Sequence, residues 1–484
     1  MDLIIFYTFN PERNMFFLSK KKKTQQWWGV DCEEYMLVNL DRVGFWDLCW
    51  LLICEEMGAR KFINSKGDKG FIIFCSIVIM KVIKLLSKTL ECLGTLVESS
   101  LNLWIYYDSF YTLVINTLRG KNVELSRTSP NFWSATGLSD TRLDLDDEIS
   151  QEDPRYKSAL AIMAAKTAYE NPARVQMIVQ DHWKMEFIEF FNCSNEYITK
   201  EESVEMRHPT QAFMFSDKTG DHELICISFR GTSMFSADDL CTDLDISWYH
   251  LRDVGKVHAG FMKALGLQIN KEGFPSWPKE VKPDKIFAYY EIRRVLGDRL
   301  KRNKDARFIV TGHSLGGALA VLFTTILGFH DEEDLLKKLE GVYTFGQPRV
   351  GDDKCCEFME RLLGARRYFR FVYANDLIPR VPFNDSVFQC KHFGYCYYFN
   401  SFYHGQVLKE APNKNYIFVE IPFKYLNAFF EIVRSFILPY AFGRDYKEGI
   451  VLLGIRAFGL LIPGISAHCP QDYAKKGTQG RELR

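Results

Sequence analysis

Residues 307–327, RFIVTGHSLGGALAVLFTTIL, constrain this chain more than any other stretch. An apolar, β-branched run breaks at G-H-S-L-G-G and resumes as an apolar helical run. The pattern is strand, sharp turn, helix. Gly312 and Gly316 flank the turn, where any side chain would crowd the backbone on either side of Ser314. Gly317 lets the helix pack close to the strand. Three further runs end in turns in the same way: ELICISFRGT at 223–232, LEGVYTFGQPRVG at 339–351 and YFRFVYANDLIPRVP at 368–382. YKSALAIMAAKTAYE, from residue 156, has a helical pattern. Strands alternating with helices predict an α/β domain with a mostly parallel sheet.

The chain has 484 residues, more than one ordinary domain needs. Residues 156–475 carry the α/β pattern, with an apolar insert at 420–465 and a short tail at 476–484. Residues 121–155 are polar, with LDLDDEISQED at 143–153, and are expected to be a linker. Residues 1–120 form an apolar region. Its run FIIFCSIVIM, 71–80, ends at Lys81 and Lys84, and IVLLGIRAFGLLIPGI, 450–465, contains Arg456 and Pro463. Neither is long enough to span a bilayer. Ile83, Leu86, Leu90, Leu93 and Val97 mark one face of an amphipathic helix, set either against the protein's core or on a lipid surface. The aromatic run LWIYYDSFYTLVI, 103–115, keeps the lipid reading open.

Formal net charge is zero, which argues against nucleic acid as a partner. The 13 cysteines include no C-x-x-C pair and no zinc spacing, and are expected to be reduced thiols. No metal or other cofactor is indicated. The opening MDLIIFYTFNPERN lacks the pattern of a secretory signal, and KKKK at 20–23 is expected to be a solvated run.

G-H-S-L-G between strand and helix is the context of a nucleophile elbow, with Gly312, His313 and Gly316 around Ser314. The turn lifts a serine hydroxyl clear of the sheet. The helix N-terminus behind it favours the negative oxygen of a tetrahedral intermediate. A serine hydrolase then needs a carboxylate and a histidine. Asp376 follows a strongly apolar strand, 62 residues beyond Ser314. Asp352, Asp353 and Asp385 are rivals in polar turns. His392, His404 and His468 follow, and the residues alone do not choose among them.

Several stretches together resemble the class 3 lipases, the fungal-lipase-like α/β-hydrolases: FRGT at 229–232, VHAGF at 257–261, TGHSLGGALA at 311–320, TFGQPRVG at 344–351 and NDLIPRVP at 375–382. The late AH at 467–468, with Tyr473 nearby, completes the set. DHWKMEF, DISWY and the ending LIPG-x-x-AHCPQDY are similar to the plant oil-body triacylglycerol lipases. The resemblance implies Ser314 as nucleophile, Asp376 as acid and His468 as base. His392 matches an earlier family histidine that is not the base. It also implies an oxyanion hole from Thr232 and the N–H of Leu315, and a lid at 233–247 with Met234, Phe235 and Leu240 facing the site. The 92 residues between Asp376 and His468 exceed the compact fungal pattern. The extra length includes Leu426, Phe429, Phe430, Val433 and Ile437 at helical spacing. If that insert displaced His468, His404 would be next. The implied substrate is triacylglycerol or another insoluble acyl ester, met at a lipid-droplet or membrane surface on its cytosolic side. A phospholipase A1 or galactolipase would keep the same triad. A droplet scaffold with a degenerate site is the non-enzymatic alternative.

Overall fold

The computed structural model describes residues 32–53, 70–194, 210–267, 277–280, 286–382, 390–412, 421–442 and 448–477, apart from positions 108, 121, 122, 124, 148, 234, 235, 365 and 462. The KKKK run, Asp385, Met234 and Phe235 lie outside them.

In chain order the strands are β1 (Cys32–Met36), β2 (Glu186–Cys193), β3 (Thr210–Asp217), β4 (Leu224–Phe229), β5 (Trp248–Leu251), β6 (Gly255–His258), β7 (Arg307–His313), β8 (Leu339–Phe345), β9 (Tyr368–Tyr373), β10 (Cys396–Phe399) and β11 (Gly405–Leu408). The helices that shape the site are α1 (Gly70–Leu85), α2 (Ser87–Tyr107), α3 (Tyr156–Thr167), α4 (Ala237–Leu244), α5 (Leu315–Phe329), α6 (Ile421–Phe442), α7 (Ile450–Phe458) and α8 (Pro470–Gly477).

The main sheet runs β11-β10-β9-β8-β7-β4-β3-β2. Strands β4, β7, β8, β9 and β10 are parallel to their neighbours in that run, and β2, β3 and β11 are antiparallel at the edges. This is the α/β-hydrolase arrangement, with helices on both faces. Central strands buried on both faces need continuous apolar runs, which explains the text of β7 and β8. Phe308 and Val310 point into the core cluster that holds α5. Ile309, between them, points into the cluster that holds α3. Thr311 settles its hydroxyl on the main-chain oxygen of Ala161, 3.1 Å away. The small side chains of ALAIMAA let α3 lie close against the sheet, and Ala161, Ala164 and Ala165 are fully buried.

The linker expected at 121–155 is instead, in its described residues between 125 and 153, a strap packed on the domain. The backbone N–H of Ser134 donates to Glu170 at 2.9 Å, Asn171 donates to the carbonyl oxygens of Ser129 and Phe132, and Trp183 donates to that of Leu143 at 2.7 Å. Buried polar groups must be bonded, and this polar strap supplies the partners.

β1 pairs antiparallel with β5, forming a three-stranded sheet with β6. Ile73 and Ile77 of α1 are buried with Met36, Val43, Leu51 and Ile246. The Ser76 hydroxyl donates to the carbonyl oxygen of Leu244 in α4 at 2.7 Å. The α2 helix is tied to the strap by Asn102, whose amide donates to the Trp133 carbonyl and accepts from the Trp133 N–H. The expected single helical face is broken at Leu86, a turn between α1 and α2; Leu86 and Leu93 are exposed, while Ile83, Leu90 and Val97 are half-buried. Among the described residues, no helix is long and apolar enough to cross a membrane. Among the described residues, no two cysteines are joined in a disulfide.

Candidate active site

Ser314 sits between β7 and α5 with φ 57° and ψ −132°. A non-glycine residue held at positive φ costs about 1–3 kcal/mol, sustained by its surroundings. The surroundings here are backbone. A Cβ on Gly312 would lie 2.2 Å from the carbonyl atoms of Gly316, and one on Gly316 would lie 2.2 Å from the Phe229 carbonyl oxygen. The Ser314 N–H donates to Phe345 O at 2.9 Å, which fastens the turn to β8. Leu315 is the first residue of α5, so its N–H belongs to the helix's N-terminal turn.

Asp376 lies three residues past β9 and is fully buried. Its Oδ1 accepts from the Ile378 N–H at 2.9 Å, which makes it a turn-capping residue too. Its Oδ2 accepts from Nδ1 of His468 at 2.8 Å and from the Tyr473 hydroxyl. Arg380 donates to the main-chain oxygens of Asp376 and Ala374 and holds the loop closed.

His468 ends a short 3₁₀ turn just before α8. The bond from Nδ1 to the carboxylate places a proton there. Nε2 is buried with no hydrogen-bond partner in range, so its lone pair is open. The ring is held from beneath by His313, the residue before Ser314. The two ring centres are 4.5 Å apart, and His313 Nε2 donates to the His468 carbonyl oxygen at 2.9 Å. On its other side Nδ1 of His313 bonds the Tyr169 hydroxyl at 2.8 Å. Burial, and then the neighbouring His468, hold the His313 pKa well below its ordinary value, so this imidazole is neutral.

Thr232 follows β4. Its hydroxyl donates to Oδ2 of Asp243 in α4 at 2.6 Å. The next N–H, from Ser233, donates to Asp239 of the same helix at 2.9 Å. Burial pushes the Asp243 carboxyl up to about 7; the Thr232 bond opposes the shift, and the Asp239 charge adds to it. Leu240, on the same helix, is half-buried.

The structure thus brings Ser314, Asp376 and His468 to one end of the sheet, with Thr232 and Leu315 beside them. The other sequence candidates go elsewhere. His392 donates from Nε2 to the Pro379 carbonyl at 2.7 Å, and burial and the nearby Arg370 hold its pKa well below the usual value. The His404 N–H closes a turn on Asn400 at 3.1 Å. Asp352 caps a helix through Cys355 N, and Asp353 pairs with Lys391. Tyr169 and Asp243 were not signalled by any spacing. Among the described residues, no cluster of metal-ligating side chains occurs.

A mostly parallel sheet with a serine elbow at its end and helices on both faces defines the α/β-hydrolase class of fold. Comparison with known proteins gives the family. The class 3 lipase model matches residues 226–386, a span that holds Thr232, Ser314 and Asp376 and ends before His468. The triacylglycerol lipase OBL1 of Nicotiana tabacum is 39% identical over 488 residues, covering 86% of this chain and 84% of the relative. The proteins of the same name from Arabidopsis thaliana and Ricinus communis are 39% and 35% identical, and cover 92% and 94% of this chain. The chain belongs to the class 3 lipase family and is a carboxylic-ester hydrolase.

Proposed function

We propose that this protein is a triacylglycerol lipase that works at the surface of a lipid droplet by a Ser314–His468–Asp376 acyl-enzyme mechanism. The observation that carries the reading is the 2.8 Å bond between His468 Nδ1 and the buried Asp376, set against the Ser314 elbow. The substrate class is taken from the relatives, which are named triacylglycerol lipases over most of their length.

Nε2 of His468 takes the Ser314 hydroxyl proton as Oγ bonds to the ester carbonyl carbon. Asp376 holds the tautomer and stabilises the imidazolium. The carbonyl oxygen becomes an anion against the N–H groups of Thr232 and Leu315, each such donor lowering the barrier by about 3 kcal/mol. The imidazolium returns its proton to the leaving glyceride oxygen as the ester C–O bond breaks. Water, deprotonated by the same histidine, then releases the fatty acid and restores Ser314. In this account α4 is the lid helix, and Asp243 fixes the Thr232 side chain through it.

The test compares the wild type with Ser314→Ala on emulsified trioleoylglycerol and on a phospholipid. Fatty acid released from trioleoylglycerol by the wild type alone is the expected result. Serine-dependent release from phospholipid only would move the substrate class. No release from either would overturn the enzymatic reading. Alongside these, His468→Ala should abolish release while His404→Ala keeps it. The reverse would reassign the base.

A further inference from the structure

The helices α6 and α7 have their polarity inverted. In α6 the charged residues are Lys424, Glu431 and Arg434, and all are buried. The exposed side chains are apolar or aromatic: Phe423, Leu426, Phe429, Phe436, Ile437 and Tyr440. In α7 the single charged residue is Arg456, with no exposed surface, whereas Ile450 and Phe458 face outward. A helix in water shows the opposite arrangement. Among their described side chains, the outer faces of the pair carry no charge. An apolar exterior over an ionic interior suits a hydrocarbon surrounding, where charge must be turned inward and paired.

The interior is a bonded network. Arg456 donates to both oxygens of Glu448 at 2.8 Å, to Glu431 at 2.6 Å and to Asp472 at 3.0 Å. Arg434 donates to the Tyr373 hydroxyl at 2.7 Å and to the Ser401 carbonyl oxygen. Asp472 also accepts from Tyr403 at 3.0 Å. Its neighbour in α8 is Tyr473, which donates to the Asp376 carboxylate and accepts from the Tyr373 N–H. The path from the apolar outer face to the Asp376–His468 pair is therefore short and buried throughout.

We propose that α6 and α7 insert their outer faces into the acyl layer of a lipid surface, and that Arg456, at their ionic core, is a positioning residue for Asp376 and His468. The proposal rests on the triad reading above. Lipid is the occupant these faces fit, because they lack outward charge and the family acts on acyl esters. Arg456 touches no reacting atom. Two of its four bonds hold Glu448 ahead of α7, one reaches Glu431 of α6, and one reaches Asp472 of α8; α8 in turn carries the Tyr473 hydroxyl that donates to Asp376.

Two measurements on the full chain test it. The double variant Phe429→Glu/Phe436→Glu is floated with phospholipid-coated trioleoylglycerol droplets. Two charges placed in hydrocarbon should weaken recovery at least about tenfold at an unchanged melting temperature. Flotation equal to wild type would overturn the inserted face. Arg456→Met and Arg456→Lys are assayed on water-soluble p-nitrophenyl butyrate. A misplaced acid–base pair should lower kcat about tenfold or more at constant KM and shift the acidic limb of the pH–rate profile, with partial recovery in the lysine variant. If Arg456→Met does not fold, Arg456→Lys decides. A folded variant with wild-type kcat and pH profile would overturn the positioning role. Ser314→Ala in the same assay separates the two readings: ester turnover that survives it sinks the triad itself, whatever Arg456 does.

Discussion

Asp376 is held by three donors: the Ile378 N–H, the Tyr473 hydroxyl and His468 Nδ1. Each is an N–H or O–H group, and the carboxylate oxygens accept from all three. Asp376→Asn would keep its shape and reverse the proton on one partner. We expect kcat on a soluble ester to fall on the order of 10⁴-fold while the melting curve stays close to wild type; a loss below tenfold would remove Asp376 from the triad. His313 is a second test at this scale. Its ring satisfies the Tyr169 hydroxyl and the His468 carbonyl from a buried position. His313→Leu would leave both unpaired, a loss of about 2–4 kcal/mol in a denaturant titration. The elbow serine and the aspartate after a strand were legible in the sequence because their cues are local. The choice of His468 over His392 and His404 came from resemblance. A histidine's partner 92 residues away is set by the packing of β9 against α8, which no local pattern encodes.

The elbow and the inverted helices make opposite lessons about elements. Gly312 and Gly316 mark the turn from four residues apart, and the backbone contact that requires them was readable as spacing. Gly316→Ala would drive a methyl into the Phe229 carbonyl oxygen, 2.2 Å away, with rigid backbone on both sides. We expect a loss of about 4 kcal/mol or more, seen as failure to express folded protein or a large drop in melting temperature. For α6, the spacing of Leu426, Phe429, Phe430, Val433 and Ile437 predicts one apolar face; four of these are exposed, and Phe430 is half-buried against Phe402. Periodicity separates two sides of a helix but does not say which side faces in. That is decided by whether Glu431, Arg434 and Arg456 find buried partners, a property of the assembled molecule. The strap at 125–153 was obscured for the same reason, since its polar residues bond to groups distant in sequence.

At the scale of the whole molecule, two buried carboxyls set a pH dependence. Burial raises Asp243 from 3.8 to about 7, and it raises Glu170 from 4.5 to about 7 against the bonds from Ser134. Each binds a proton in the folded chain at pH values where the unfolded chain has released it. Their contribution to stability is therefore full below about pH 4 and is lost as pH rises through 7. Buried His258, held at about 3, and His330, held at about 4, act in the other direction: their contribution is present above 6.5 and fades as pH falls. The difference between variants isolates one group. Asp243→Asn should gain melting temperature over wild type progressively from pH 5 to pH 8, and a constant gap across that range would show that the carboxyl titrates normally.

The pairing of β1 with β5 changes what an N-terminal deletion means. Residues 1–120 look detachable as text, yet Glu34, Tyr35 and Met36 lie in register with His250, Tyr249 and Trp248. Cutting them away strips a row of backbone partners from β5 and uncovers Ile246 beneath α1. An open strand beside apolar surface recruits other copies of itself. A truncated protein found in cellular aggregates would then report a sticky seam and not a lost address. Experiments that map where this enzyme goes are better built from substitutions on outward side chains than from shortened chains.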